Sequence, residues 1–93
     1  MNTAPTPEQT QQTISLLHNR LNEKAINRND NLPVKEGYTK AVEILESGIT
    51  EWEKADLKKL TTTQGRSIAY LAVSYLNGTC TQETFCGVPI KKF

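Results

Sequence analysis

The chain has 93 residues, of which 37% are hydrophobic, 23% charged and 6% aromatic, with a formal net charge of +1. That length admits one domain with a thin core, because a domain this small buries only roughly two-thirds of the surface its unfolded chain exposes. The near-neutral balance lacks the basic footprint of a general nucleic-acid binder. It is equally unlike a disordered chain, which combines low hydrophobicity with high net charge.

Before Thr6 the sequence shows neither a charged n-region nor an apolar h-region, so no secretory signal is expected in these residues. No run approaches membrane-spanning length. Cys80 and Cys86 are too few and too close in sequence for the disulfide framework of a small secreted domain. A cytoplasmic protein with free thiols is therefore expected.

In chain order, Met1 to Pro5 reads as a polar tail, and Thr6-Pro7-Glu8-Gln9 opens a helix. Thr6 caps it, Pro7 suits the first helical position, where its missing N–H costs nothing, and Gln9 completes a capping box. Ile14, Leu17, Leu21 and Ala25 follow at helical spacing, which predicts a helix from Pro7 to about Ile26. Asn27 to Asn31 is a polar breaker, and Pro33 marks entry into a second helix.

Tyr38, Val42, Leu45, Ile49 and Trp52 keep one apolar seam in phase. Their phase predicts a continuous second helix from Val34 to about Lys59, with Gly48 inside it allowing another helix to approach and with Tyr38 and Trp52 in the core. The alternative is a stop at Gly48 with a new cap at Thr50-Glu51-Trp52-Glu53. Thr61-Thr62-Thr63-Gln64 caps a third helix, whose stripe is Ile68, Leu71, Ala72 and Tyr75 and which stops at Asn77-Gly78. One or two further turns over Thr79 to Cys86 and an irregular tail from Gly87 complete the reading. The expected fold is all-α, one antiparallel helical bundle over 1–93, with three long helices and a short fourth helix or irregular tail.

The block Tyr38-Thr39-Lys40-Ala41-Val42-Glu43-Ile44-Leu45-Glu46-Ser47-Gly48-Ile49-Thr50-Glu51 resembles the second-helix block of the enterocin A-type immunity proteins, which protect producers of pediocin-like bacteriocins. Size, helical order and the hydrophobic tail Gly87 to Phe93 are also similar. The resemblance implies a cytosolic antiparallel four-helix bundle without enzymatic activity. It implies action at the inner face of the mannose phosphotransferase permease with its bound bacteriocin, with specificity carried by the C-terminal half.

The chain carries few residues suited to catalysis, which fits a binding role. His18 has no cysteine or carboxylate spaced to share a metal, and Cys80 and Cys86 do not make a zinc pair. There is no G-x-S-x-G, phosphate loop or dinucleotide fingerprint, and no cofactor is expected. Charge is uneven, however: residues 1–53 hold five Lys/Arg against eight Asp/Glu, and residues 54–93 hold six against two. A basic C-terminal half suits contact with an anionic membrane surface or an acidic protein face. Arg66, Phe85, Val88, Ile90, Lys91, Lys92 and Phe93 are the residues expected to set partner specificity, on a monomer with no nucleic-acid partner. Two readings from other classes stand beside immunity. One is a helix-turn-helix reader presenting Arg66, Ser67 and Tyr70, weakened by the single cation on that helix; the other is a small inhibitor or adaptor from a mobile element.

Overall fold

The computed structural model describes residues 4–90. Among them there are helices and turns and no strand, giving four α-helices: α1 (Pro7–Leu21), α2 (Leu32–Ser47), α3 (Thr63–Leu76) and α4 (Gln82–Cys86). The capping box at the start of α1 forms as read. Gln9 N–H donates to Thr6 Oγ1 at 3.1 Å while Gln9 Oε1 accepts from the Thr6 N–H at 2.9 Å. Ile14 and Leu17 face the core. α1 stops earlier than the spacing predicted: Asn22 closes it, and Ile26 reaches the core from a 3-10 turn over Lys24–Asn27. Asn31, 1% exposed, holds that turn by donating from Nδ2 to the Ala25 carbonyl at 2.8 Å.

α2 is not continuous to Lys59. Gly48 takes φ 66°, ψ 33°, the left-handed conformation that ends a helix at little cost only for glycine. The stop at Gly48 is thus the correct alternative, and with nothing within 4 Å of a Cβ built there, this glycine admits no neighbouring helix. The close approach is made elsewhere. A Cβ on Gly37 of α2 would lie 2.6 Å from Ile68 Cβ, and one on Gly65 of α3 would lie 3.2 Å from the Pro33 carbonyl. These two bare backbones let α2 and α3 form the most extensive interhelical packing of the fold.

The contacts fix the direction of each helix. Glu36 near the start of α2 accepts from the Thr61 and Thr62 hydroxyls just before α3, and Asn77 just after α3 donates to the Thr50 carbonyl just after α2, at 2.7 Å. α2 and α3 therefore run in the same sense. Arg20 at the end of α1 lies over Tyr38 near the start of α2, and Thr13 of α1 meets Tyr75 at the end of α3. α1 is thus antiparallel to both. α4 follows the sense of α1, with Gln82 bonded to Thr13 and the Cys86 carbonyl bonded to Tyr38. The all-α bundle is present, but strict antiparallel alternation is not.

A long crossover over residues 49–62 makes this order possible, because same-sense neighbours cannot be joined by a tight turn. It contains 3-10 turns at Trp52–Ala55 and Leu57–Lys59. Ala55 is fully buried and Leu57 and Leu60 pack against the core, so three small anchors hold the crossover down. Trp52 does not join them: it is 56% exposed, against its expected core position. The seam that included it assumed a helical phase that ends at Gly48.

Candidate functional site: a clamped C-terminal segment and an aromatic face

The residues expected to set specificity separate into four groups. Phe85 of α4 is fully buried, with its ring centroid 6.3 Å from Tyr38 and 5.9 Å from Tyr75, so it is a core residue with no surface to offer a partner. Val88 and Ile90 are half-buried and packed on the core. Arg66 on α3 donates from Nη1 to the Leu60 carbonyl at 2.9 Å, bracing the end of the crossover. Lys91, Lys92 and Phe93 lie outside the described residues.

Two side chains from different helices clamp the C-terminal segment. The Tyr38 hydroxyl donates to the Cys86 carbonyl at 3.1 Å, and Arg20 donates from Nη2 to the Val88 carbonyl at 2.5 Å. Burial raises the Tyr38 phenol above its usual 10.0, opposed by the nearby Arg20 charge. It therefore stays protonated and available as a donor at neutral pH. A buried polar knot lies at the other end of α4. Thr13, fully buried, gives its hydroxyl proton to the Gln9 carbonyl at 3.0 Å and accepts from Gln82 Nε2 and the Tyr75 hydroxyl, each at 2.9 Å. Such a knot fixes α4 because any member removed leaves another donor or acceptor buried and unpaired.

Cys80 and Cys86 are free thiols, both half-buried against the core. Burial pushes both thiols above 9.0, which keeps them largely protonated and poorly nucleophilic at neutral pH. His18 is exposed on α1. Among the described residues no group of three or more His, Cys, Asp and Glu is placed to hold a metal ion, and no helix is long and apolar enough to cross a membrane.

Of the second surface, the sequence offered the α3 side, Arg66, Ser67 and Tyr70, but not the position of Trp52 beside it. Trp52 on the crossover and Tyr70 on α3, 56% and 49% exposed, stand beside two adjoining hollows that share Leu57 and Arg66 as lining. The hollow beside Trp52 has a volume of about 540 Å³ and the one beside Tyr70 about 420 Å³. Trp and Tyr are among the residue types that dominate binding energy in protein interfaces, and here both are exposed beside the half-buried Arg66. The sequence signal for the Trp52 side of this face is the break at Gly48, which resets the helical phase. α2 and α3 are separated by the long crossover rather than the short turn of a helix-turn-helix. No family model, curated protein or solved structure matches the chain.

Proposed function

We propose that the chain is a non-enzymatic binding protein that confers immunity to a pediocin-like bacteriocin, acting from the cytoplasm on the mannose phosphotransferase permease with the bacteriocin bound. The supporting observation is the clamp on the C-terminal segment. Arg20 and Tyr38 hold residues 86–88 against the bundle, so the chain is delivered at a defined place to Ile90, immediately before the basic and aromatic Lys91-Lys92-Phe93. A recognition segment anchored in this way loses less conformational freedom on binding than a free tail.

Expression in a bacteriocin-sensitive strain, followed by challenge with a panel of pediocin-like peptides, tests the reading. Survival against at least one peptide is expected, and Lys91→Glu with Lys92→Glu should reduce it without changing the melting temperature. Unchanged sensitivity to every peptide rejects it. The same-sense pairing of α2 and α3 departs from the antiparallel order the resemblance implies. That departure favours a second reading, in which this bundle is a small inhibitor or adaptor that occupies another protein complex. Co-purification of a defined complex from a host that gains no bacteriocin protection would select the second reading.

A further inference from the structure

We propose that Asn77-Gly78 is a modification site gated by folding: the Asn77 amide is hydrolysed when the end of α3 opens, and its loss frees the start of the crossover. The inference stands independently of the bacteriocin reading. Among the asparagines of the chain, Asn77 alone is followed by glycine, whose missing Cβ lets its backbone nitrogen approach the preceding side chain with little hindrance. In the folded chain both reacting groups are engaged. Asn77 donates from Nδ2 to the Thr50 carbonyl at 2.7 Å and to the Val73 carbonyl at 3.0 Å, which commits both amide hydrogens. The Gly78 N–H donates to the Tyr75 carbonyl at 3.0 Å, and Gly78 is buried. At an Asn77 ψ of −2° the Gly78 nitrogen eclipses the backbone nitrogen of Asn77 rather than its Cβ. Attack on the side chain therefore requires rotation about ψ and rupture of these hydrogen bonds, a local opening of the helix end.

Once open, the Gly78 nitrogen gives its proton to hydroxide and bonds to Asn77 Cγ. The Cγ–Nδ2 bond breaks, and the amide nitrogen takes a proton from water and leaves as ammonia. Water then adds to either carbonyl of the resulting five-membered ring and breaks its bond to the Gly78 nitrogen, giving aspartate or isoaspartate with no change of oxidation state. Neither product can serve as the tie. A carboxylate only accepts hydrogen bonds, so it opposes the Thr50 and Val73 carbonyls, and its charge stands at the C-terminus of α3, where the helix dipole disfavours an anion. Isoaspartate also lengthens the backbone by a methylene, which disturbs the Gly78 bond to Tyr75 and the Thr79 N–H bond to the Ser74 carbonyl at 2.9 Å. Without the Asn77 bond, the exposed stretch 50–54 is held by the core residues at its two ends, Ile49 and Ala55.

Mass spectrometry of the full chain held at mildly alkaline pH follows the mass gain of amide to acid at Asn77. Conversion in the folded chain should run at least about tenfold slower than in urea, because only the open fraction reacts. A short peptide spanning Leu76 to Thr79, with and without urea, corrects for the denaturant itself. Asn77→Asp supplies one product directly. It should melt at a lower temperature and be cut by trypsin after the exposed Lys54 at least about tenfold faster, with its helical circular dichroism retained. Wild-type chain converted during incubation and separated by its added negative charge gives the same reading should Asn77→Asp fail to fold. Equal rates in the folded and unfolded chain overturn the gating and the proposal with it. A converted chain whose crossover resists trypsin as well as the wild type does overturns the coupling, and so does a converted chain with an unchanged melting temperature.

Discussion

The guanidinium of Arg20 stands 5.5 Å from the centroid of the Tyr38 ring. From there each residue reaches a different carbonyl of the C-terminal segment, Arg20 that of Val88 and Tyr38 that of Cys86. α1 and α2 thus hold the end of the chain jointly. Tyr38→Phe, which removes only the hydroxyl, should cost about 1 kcal/mol. Arg20→Ala should cost about 2 kcal/mol, because a charged donor and a cation–π contact are lost together. Because both clamp one segment, the double variant should lose less than the sum in urea unfolding. Strict additivity would show two independent contacts.

Three glycines test where the backbone is constrained. Alanine at Gly37 would force its Cβ against Ile68 Cβ of the facing helix, 2.6 Å away, and should cost about 3 kcal/mol or more as α2 and α3 separate. Alanine at Gly65 would first meet the Thr62 hydroxyl that caps α3, 2.7 Å away, and then the Pro33 carbonyl at 3.2 Å, so a smaller loss of about 1–2 kcal/mol is expected as the cap is displaced. Gly48→Ala has open space and only the left-handed φ of 66° to oppose it, so about 1 kcal/mol is expected. Thermal melts of the three variants at equal concentration give the ranking.

Phe85 and Trp52 should behave in opposite ways. Phe85→Ala removes a fully buried ring packed between Tyr38 and Tyr75 and should cost about 3–5 kcal/mol. Trp52→Ala, measured at low micromolar concentration, should change stability by less than about 0.5 kcal/mol. A large loss at Trp52 would mean that its indole stabilises the crossover.

Stability should fall on the alkaline side. Burial raises the Cys80 and Cys86 thiols above 9.0 and the Tyr38 phenol above 10.0. The folded chain therefore keeps protons that the unfolded chain releases in that range. Where the unfolded state binds fewer protons, stability declines as pH rises. The urea midpoint should thus begin to fall near the unfolded thiol value and fall further above that of the phenol. Cys80→Ser with Cys86→Ser should delay the onset to the tyrosine range. An onset unchanged in that variant would assign the alkaline loss to other groups.

The helices themselves were legible because their signals are local. The Thr6 and Gln9 capping box, the Thr62 cap, and the Asn77-Gly78 stop each lie within one turn of the element they bound. The stripes Ile14–Leu17, Tyr38–Leu45 and Ile68–Tyr75 identified most of the core. The sequence also contained the two possibilities at Gly48, yet periodicity alone favoured the continuous helix, because Ile49 and Trp52 happen to keep the phase. Tertiary packing decided the matter. The bare faces of Gly37 and Gly65 bring α2 and α3 together in the same sense, and that pairing requires the chain to leave α2 and travel back along it before α3 begins. The crossover made in doing so buries Ala55 and leaves Trp52 outside beside Arg66 and Tyr70. No local pattern encodes that juxtaposition, since it joins residues on two elements whose relative direction is fixed only when both pack on the same core.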